Sequence, residues 1–531
     1  MSLEKYSKEI LLLIFILSYA IRVCPYVSSG VPYHTDSWPM LRNIEVLVEN
    51  SPTPLDPKVG FDSYNIFWPG LIFFGGLTSV LLHVPPITLM PLLSPLVSSI
   101  SVLMFFVLLR KLKFDVHSSL AATLIFGSGA ILLIGAGVTK QGFAFPLCFM
   151  LLILSVSGPS VKTALLFVTT ILTLTISHHL TSVITLFLMF LLTISRVLFK
   201  GEQVNRRISI LILAAFSVFL YCYIFLYAGS ITLIELKEAD IISLVSYIIV
   251  ATAPLLLNLF YPEKFTKVFQ AWVVFLFLGV ITLTYLSFKV NVELGAPVAS
   301  FDLAPLTLSY ILIGFLVVLC VFLTRESLGH GLSFFLLWML GLLGIVSYTI
   351  FGTPGLTSIT LRLSDFLYPS LMVPAAYTLV TLAKRNSTLK FLSVVLLMAI
   401  AISSAFILPY TAFYSGTFGG SQRVYTQSDI AVSNWVVSNS LNGSNLYGDV
   451  RFSYVIQEYF GREVKVNEGF NYLVMGKNPP LGLLLMSSTM LETGYITFVS
   501  GMPINETLFT YNNDTRVCII YSSNHDKILL S

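Results

Sequence analysis

The sequence predicts an all-α polytopic membrane protein with a small α/β domain after its last span. Three observations predict this class: 56% of the 531 residues are apolar, only 11% are charged, and the mean hydropathy is +0.86. A soluble globular protein carries about 25% charged residues, so this chain cannot cover a water-exposed surface of its size. The composition excludes a cytosolic enzyme, a nucleic-acid-binding protein and a disordered chain, and it indicates the lipid bilayer as solvent.

Apolar runs long enough to cross a bilayer, about 20 residues each, recur along the chain. The first run follows Lys5 and Lys8 and has no small-residue cleavage site after it, so we interpret it as a retained anchor. About thirteen such runs are predicted spans: 7–24, 88–109, 117–137, 140–157, 161–177, 180–199, 208–228, 241–260, 268–287, 306–323, 329–350, 366–383 and 389–408.

A further apolar run, 66–84, is predicted to lie on the outer leaflet as a juxtamembrane segment without crossing. Lys and Arg concentrate in cytoplasmic loops, and this assignment puts sixteen of those before residue 409 inside and seven outside. If the run crossed the bilayer, every later loop would lie on the opposite side of the membrane. Most of these cations would then lie outside. Pro69 and the Gly75-Gly76 pair are expected to break any long helix here.

This layout divides the chain into two domains. Residues 1–408 form the transmembrane domain, with a cytoplasmic N-terminus and a long outer loop at 25–87, and residues 409–531 form an extracytoplasmic α/β domain. Within the second domain, the residue pattern predicts helices over 428–440 and 453–460, a short strand from Leu446, and a hairpin of 516–521 with 527–530.

No predicted span carries an ionisable side chain near its middle. Ion-coupled transporters keep Asp, Glu, His or Lys near the bilayer midplane, so this pattern disfavours a transporter. The outer loops hold eleven acidic residues before the C-terminal domain. We therefore expect a functional site at the outer mouth of the helix bundle.

The first candidate is the segment Tyr33–Trp38, which follows the first span and contains His34 and Asp36. An aspartate at the membrane surface can take a proton from a hydroxyl or bind a divalent cation such as Mg²⁺ or Mn²⁺. The alternative is a solvated Asp36 that caps the helix expected over 38–48. His34 is a candidate phosphate-binding neighbour.

Asp62 and the pair His178-His179 are further candidates for substrate or phosphate binding. The alternative for Asp62 is an Asp-turn at the end of a loop. Paired histidines can donate to a phosphate or shuttle protons, whereas the alternative is a polar cap at the membrane interface. Adjacent residues of a helix point in different directions, so a metal site shared by both histidines is not expected.

Arg362 and Asp365 enter the twelfth predicted span three residues apart, so they can pair on one helix face. The alternative to a simple pair is a guanidinium fork that binds a phosphate at the membrane surface. Lys140 lies at a similar depth and is a candidate for the same task.

Several phrases of the sequence, taken with this layout, resemble a known family. They are Asp36 early in the long outer loop, Phe67-Trp68-Pro69-Gly70, the basic run Arg110–Lys113, Arg362–Pro369 (RLSDFLYP), Asn434–Val437 and Tyr447–Arg451. The pattern is similar to that of the GT-C membrane glycosyltransferases. These include protein O-mannosyltransferases, aminoarabinose transferases and oligosaccharyltransferases.

The resemblance implies that a sugar moves, with inversion, from a polyprenyl (dolichyl or undecaprenyl) phosphate carrier to an acceptor hydroxyl on the outer face. It implies Asp36 as the base, although many members carry two adjacent acids there and this chain has one. The signature W-W-D of oligosaccharyltransferases is absent, because Trp435 is followed by two valines. The protein N-glycosylating enzyme itself is therefore not indicated.

The implied partners are the bilayer (the plasma membrane of a prokaryote), a lipid-linked sugar donor, and a glycan, lipid or protein acceptor. A divalent cation is the one cofactor that the resemblance leaves open. A lipid phosphate leaves with growing negative charge, which Arg362, Lys140 or His178 can stabilise. Two alternatives remain at this point: a flippase or transporter of lipid-linked sugars, and a polysaccharide polymerase or ligase of another membrane fold.

Overall fold

The computed structural model describes residues 3–50, 62, 64–129, 132–158, 160–198, 206–228, 238–293, 304–324, 329–351, 357–413, 425–440, 444–477, 481–487, 490, 495–496, 501–502, 518–522 and 527–530. The helices are α1 Ser7–Ser29, α2 Ser37–Glu49, α3 Gly70–Leu82, α4 Pro86–Lys111, α5 Val116–Ser128, α6 Leu132–Gly135, α7 Lys140–Val156, α8 Val161–Ser177, α9 His179–Leu198, α10 Arg206–Tyr221, α11 Glu238–Phe260, α12 Pro262–Glu293, α13 Ala304–Leu323, α14 His330–Phe351, α15 Thr357–Ala383, α16 Ser387–Phe413, α17 Gln427–Asn439, α18 Val450–Phe452 and α19 Val466–Leu473. A π-helical stretch, Cys222–Tyr227, extends α10, and another, Ser453–Tyr459, extends α18.

Helix ends follow local sequence signals. Asp115, Thr139 and Ser160 each accept a hydrogen bond from a backbone N–H three residues on, and so cap α5, α7 and α8. Pro86 takes the first position of α4, where the missing N–H costs no helical hydrogen bond. The Thr139 cap fixes the start of α7, which matters because α7 begins with Lys140.

Nine helices in the described part of the chain are long and apolar enough to cross a membrane, so this is an integral membrane protein with many helices. Shorter apolar helices accompany them, α3, α5, α7 and α8 among them. Each of the thirteen predicted runs contains an α-helix, but the count of thirteen spans is not confirmed. The buried side chains of α4, α5, α7, α9 and α13–α15 form one large apolar core.

The juxtamembrane run 66–84 contains the 13-residue helix α3, which begins directly after Pro69. At about 1.5 Å per residue, α3 is about 20 Å long, shorter than a bilayer core of about 30 Å. The expectation that Gly75 and Gly76 break the helix is wrong, because α3 runs through both. They allow close packing instead: a Cβ at Gly75 would lie 2.7 Å from Ile44 Cδ1, and one at Gly76 2.6 Å from Leu47 Cδ2.

The predicted span 117–137 is not one continuous helix. Helix α5 ends at Ser128, and the four-residue α6 follows only at Leu132. The buried ring of Tyr368 packs against the backbone at this end of α5, because a Cβ at Gly129 would lie 2.0 Å from it.

The C-terminal part contains a four-stranded sheet in the order β1-β2-β6-β5. Its strands are β1 Leu446–Tyr447, β2 Leu483–Met486, β5 Cys518–Ser522 and β6 Lys527–Leu530, and a separate pair is β3 Tyr495–Ile496 with β4 Gly501–Met502. Strands β1 and β2 are parallel, whereas β2–β6 and β5–β6 are antiparallel. The predicted hairpin, the strand from Leu446 and the helix near 428–440 are all present in this region.

Helix α2 of the first long loop packs against the C-terminal part. The fully buried Trp38 ring lies 5.2 Å from the ring centroid of Tyr425 and 5.5 Å from that of Tyr459, both edge-to-face. The Tyr459 hydroxyl also donates a 2.7 Å hydrogen bond to Glu45. These contacts place the stretch Ser453–Tyr459 directly over the loop that contains Asp36.

Candidate functional site

A tight turn connects α1 to α2 and positions His34 and Asp36. Gly30 ends α1 with φ +71°, and His34 also has a left-handed backbone, with φ +82°. A non-glycine residue rarely adopts this conformation. The turn is stabilised from within, because the Asp36 N–H donates to His34 Nδ1 at 3.1 Å. Nδ1 therefore accepts, and Nε2 carries the ring proton.

Gly137 holds this turn against the segment before α7. A Cβ at Gly137 would lie 2.6 Å from His34 Cβ and 2.9 Å from the Tyr33 carbonyl oxygen. Ser37 completes the attachment, because its Oγ donates to the Tyr33 carbonyl at 2.6 Å and accepts from the Val138 N–H at 2.9 Å. The position of Asp36 is thus set by a segment 100 residues away.

The carboxylate of Asp36 does not cap α2. It makes no capping hydrogen bond to the backbone of this fully described helix, and its side chain is 43% exposed. His34 Nδ1 lies 3.9 Å from Asp36 Oδ2. The alternative of a helix-capping Asp36 is therefore wrong, and the carboxylate faces accessible space beside a buried turn.

Asp62 forms an Asp-turn, as its alternative interpretation expected. Its Oδ1 accepts from the N–H groups of Tyr64 and Asn65 at 3.0 and 2.6 Å. Its Oδ2 accepts from the side-chain amides of Asn43, at 2.7 Å, and Asn65. Because four N–H donors use its oxygens, Asp62 positions Asn65 and ties this turn to α2.

Lys140 is buried inside a polar and aromatic cage that Asp62 organises. Its Nζ donates to Asn65 Oδ1 at 2.5 Å and lies 3.9 Å from the ring centroid of Tyr64 and 5.8 Å from that of Trp68. Only 9% of the lysine is exposed. Its charge is stabilised by the ring faces and the amide oxygen, and no aspartate or glutamate neutralises it within 4.0 Å among the described residues.

His178 and His179 lie at the break between α8 and α9, not on one continuous helix. The Thr181 N–H points to His178 Nδ1 at 3.4 Å, and the Thr181 hydroxyl lies 2.7 Å from the same atom. His178 Nδ1 accepts, so Nε2 carries the proton. The His179 ring packs 4.9 Å from Trp68, and its Nδ1 lies 3.4 Å from the Tyr64 hydroxyl.

Arg362 and Asp365 lie near the start of α15, and Gln141, the residue after Lys140, contacts both. The Gln141 amide donates to Asp365 Oδ2 at 3.1 Å and approaches the Arg362 carbonyl oxygen at 3.5 Å. Asp365 is buried, whereas the Arg362 side chain is exposed. The charge of Arg362 acts on Tyr64, on Lys140 and on both histidines, so Arg362 lies at the same mouth of the bundle.

The C-terminal part contributes Tyr454 and Glu458 to the site. Burial, and then the Asp36 charge, raise the pKa of Tyr454 to about 12, while Arg362 acts to lower it. Burial and the Asp62 charge raise the pKa of Glu458. Both residues line a cavity of about 430 Å³. This cavity therefore adjoins the mouth that holds Asp36, Asp62 and Arg362.

The donor set does not fit a metal ion held by protein ligands alone. No group of three or more His, Cys, Asp or Glu side chains is arranged for a metal among the residues that the structure describes. The oxygens of Asp62 already accept four N–H groups, and Nδ1 of His34 is also in use. Within the described part of the chain, Asp36 therefore belongs to no group of three or more such side chains that could hold the candidate Mg²⁺ or Mn²⁺.

The sequence-predicted candidates Asp36, His34, Asp62, Lys140, His178, His179 and Arg362 lie around one mouth of the bundle. Sequence reasoning missed Asn65, Gln141 and Tyr454. Asn65 follows Asp62 by three residues in an Asp-turn motif, and this spacing could have predicted that Asn65 belongs to the turn. Nothing in the local sequence of Gln141 or Tyr454 indicates their partners, which come from distant parts of the chain.

Comparison with solved structures shows that the chain shares a known fold. The chain is similar to the archaeal oligosaccharyltransferase AglB from Archaeoglobus fulgidus in complex with an inhibitory peptide and a dolichol-phosphate. The TM-score is 0.56 at 12% identity, over 92% of this chain and 70% of AglB. The complex of the same enzyme with zinc and sulfate gives 0.55 at 12% identity, over 91% and 68%. The chain thus has the fold of the GT-C membrane glycosyltransferases, as the sequence resemblance predicted.

A weaker similarity involves ArnT from Cupriavidus metallidurans bound to undecaprenyl phosphate. Its TM-score is 0.39 at 10% identity, over 98% of this chain and 97% of ArnT. No protein-family model and no curated protein sequence matches the chain.

Proposed function

We propose that this protein is an inverting glycosyltransferase that moves a sugar from a polyprenyl-phosphate carrier to an acceptor hydroxyl at the outer membrane face. One observation carries the proposal: the Asp36 carboxylate and the cations Lys140 and Arg362 lie at one mouth of an apolar bundle. The amphiphilic donor suits this position, because its phosphate can meet the cations while its polyprenyl chain stays in lipid.

The reaction exchanges one bond at the anomeric carbon of the sugar. Asp36 takes the proton of the acceptor hydroxyl, whose oxygen attacks the anomeric carbon on the face opposite the phosphate. The bond from that carbon to the phosphate oxygen breaks, and the carrier phosphate leaves with the bonding electrons. Attack from the opposite face inverts the configuration. A single base is sufficient because the phosphate leaves without a general acid.

The cations of the site stabilise the charge that grows on the leaving phosphate. Lys140 is preorganised by Asn65, Tyr64 and Trp68, so it loses little freedom when the phosphate arrives. Arg362 is exposed and can form two parallel hydrogen bonds with phosphate oxygens. His178 and His34 each have Nε2–H as a further donor, and His179 orders the aromatic wall of the cage.

The similar AglB structure supports the class of donor and suggests one class of acceptor. AglB is bound there to a dolichol-phosphate and an inhibitory peptide. We propose a dolichyl- or undecaprenyl-type carrier for this chain, and a glycan, lipid or peptide hydroxyl as acceptor. The acceptor would enter through the cavity that Tyr454 and Glu458 line, and the charge of Asp36 acts on Tyr454.

The proposed orientation follows from the charge bias of the loops. The N-terminus is cytoplasmic in this proposal, the transmembrane domain covers 1–408, and the domain at 409–531 is extracytoplasmic. The Trp38 contacts with Tyr425 and Tyr459 support a shared side for the first long loop and the C-terminal part. A prokaryotic plasma membrane is the proposed location.

The test uses the purified full chain in liposomes with polyprenyl-phosphate sugars that carry an isotopic label. We expect transfer of the label to a soluble or lipid hydroxyl acceptor, and NMR should show inverted anomeric configuration in the product. A retained configuration would exclude Asp36 as a simple base. Movement of intact donor across the bilayer with no glycosylated product would instead establish the flippase alternative.

A further inference from the structure

Residues 132–139 support two of the groups that the proposed reaction uses. They comprise α6 and the residues that connect it to α7, and we call them the support segment. Within this segment, Gly137 packs against the turn that contains Asp36. At the end of the segment, Thr139 caps α7, which begins with Lys140. A shift of the support segment would therefore move both Asp36 and Lys140.

Arg22 of α1 is a charged side chain inside an apolar span. It is fully buried and lies about 10 Å along the helix from the end of α1 at Ser29. Among the described residues, no aspartate or glutamate lies within 4.0 Å of Arg22, and its Nε and Nη2 have no hydrogen-bond partner. A buried charge without a counterion costs free energy, and in membrane proteins such a residue is typically retained for a function.

Arg22 orders a hydrogen-bonded link to the last turn of α5. Its Nη1 donates to the Ser18 carbonyl oxygen at 3.1 Å and also to the Ser18 hydroxyl. Because this hydroxyl accepts from Arg22, its own proton points elsewhere, and it donates to the Gly127 carbonyl oxygen at 2.9 Å. The guanidinium thus orients the hydroxyl that ties α1 to the end of α5.

The same guanidinium packs against the support segment. A Cβ at Gly135 would lie 2.7 Å from Arg22 Nε and 2.5 Å from the Ser98 hydroxyl oxygen. These separations leave no room for a side chain at Gly135, so α1 and α4 meet α6 at its backbone. Arg22 and Ser18 therefore hold the chain on both sides of the break between α5 and α6.

Two neutral hydrogen bonds complete the attachment of the support segment. Ser94 of α4 donates to the Gly137 carbonyl oxygen at 3.0 Å, and the Thr139 hydroxyl donates to the Ile134 carbonyl oxygen at 3.0 Å. Neither hydrogen bond involves α1. Loss of the Arg22 guanidinium should therefore loosen the support segment without releasing it.

We propose that Arg22 is a positioning residue, which holds the support segment so that Asp36 and Lys140 keep their places during transfer. The link to transfer rests on the proposed function, whereas the link to the support segment does not. An apolar side chain of similar length can fill the same space but cannot donate to Ser18. Removal of this buried charge also removes its desolvation cost, so the thermal midpoint should stay near that of the wild type or rise.

The first test measures backbone hydrogen exchange of the full chain in nanodiscs, without any sugar donor. We expect R22M to speed exchange over 132–139 about tenfold, because the segment opens more often, and to leave exchange in α14 unchanged. G135A should give the same local effect, because its Cβ displaces the guanidinium. The matched control is K8M, which removes an exposed charge from the same helix and should change neither region.

The second test measures kcat, KM and the thermal midpoint. We expect R22M to lower kcat about 10- to 100-fold, with a smaller change in KM and no loss of midpoint. Wild-type exchange over 132–139 in R22M, or a wild-type kcat, overturns the proposal. A lower midpoint with faster exchange throughout the bundle shows a purely structural role and overturns it as well. If the wild type transfers no sugar, the proposed function fails, and the exchange results alone decide whether Arg22 holds the support segment.

Discussion

The Nζ of Lys140 lies 2.5 Å from the Oδ1 of Asn65, inside a cage closed by the rings of Tyr64 and Trp68. Asn65 is held in turn by Asp62, which also binds Asn43 of α2. One cation is thus fixed in place by a turn that is tied to the loop containing Asp36. This relationship links the proposed base to the proposed phosphate-binding residues.

Replacement of Lys140 should impair the chemical step more than the binding of donor. We expect Lys140→Met to lower kcat by about 10²- to 10³-fold, because a preorganised charge toward the leaving phosphate is lost. Lys140→Arg should restore little, since the larger guanidinium does not fit between Asn65 and Tyr64. The measurement is kcat and KM for the labelled donor. An unchanged kcat in Lys140→Met would remove Lys140 from the mechanism.

Asp36→Asn should abolish transfer without unfolding the protein. The substitution removes the base, which contributes about 10²- to 10⁴-fold in rate. Its carboxylate makes no capping hydrogen bond to α2 and is 43% exposed, so the thermal midpoint should stay near that of the wild type. The matched control is Glu49→Gln on the same helix, which should retain activity. Near-normal turnover in Asp36→Asn would contradict the proposed base.

The helices were largely predictable from the sequence, and the site only in part. A span must satisfy its backbone hydrogen bonds internally, so a continuous apolar run encodes a helix locally. The end of α5 at Ser128 was missed, and no local pattern shows that the Tyr368 ring of a distant helix packs against Gly129. Gly75 and Gly76 were misjudged for the same reason, since packing against Ile44 and Leu47 decides their role.

The candidate residues were predicted from their charge and from their position at the ends of apolar runs. Both features can be read from the sequence. Their partners were not found, because Asn65 and Lys140 are 75 residues apart and Gln141 and Asp365 are 224 apart. Tyr454 joins the site only because the C-terminal part packs over α2. Local sequence patterns predict which residues carry reactive or charged groups. The cage around Lys140 depends on packing between distant parts of the chain, which these patterns do not predict.

Burial of the Glu45 carboxyl should make stability depend on pH. Burial raises the pKa of Glu45 above its ordinary value of 4.5, although the Tyr459 hydroxyl acts to lower it. The folded state then favours the protonated acid, so this contribution is fully present below pH 4.5 and is lost as pH rises through the raised pKa. Glu45→Gln should remove that dependence in thermal unfolding, and the control Glu49→Gln should keep it. An identical pH profile in wild type and Glu45→Gln would contradict this assignment.

The buried pair Asp449–Arg451 should be important for the stretch that carries Tyr454. Arg451 Nε lies 3.3 Å from Asp449 Oδ2, and both side chains are almost fully buried. Asp449→Ala leaves a buried guanidinium without its counterion, which should cost about 3–5 kcal/mol of stability. Chemical unfolding of the full chain measures this, with the exposed Glu463→Ala as a control. A cost below about 1 kcal/mol, the range of a surface salt bridge, would contradict the buried pairing.

Substitution of Gly137 tests whether the turn at His34 positions Asp36, because it leaves every charged side chain unchanged. In Gly137→Ala the new Cβ would lie 2.6 Å from His34 Cβ and 2.9 Å from the Tyr33 carbonyl oxygen, so the turn must shift. A displacement near 1 Å at a catalytic group can cost about 100-fold in rate. We therefore expect kcat to fall about 100-fold, with a smaller change in KM.

The matched control is Gly158→Ala, since no atom lies within 4 Å of a Cβ built at Gly158. It should retain full activity. A second variant, Gly137→Ala with Ser37→Ala, asks whether the loss acts through the turn. Ser37 Oγ joins Tyr33 to Val138, so its removal frees the turn to move. If the turn is the cause, the double variant should differ from the product of the two single effects. Full activity in Gly137→Ala would show that the position of Asp36 does not depend on this packing.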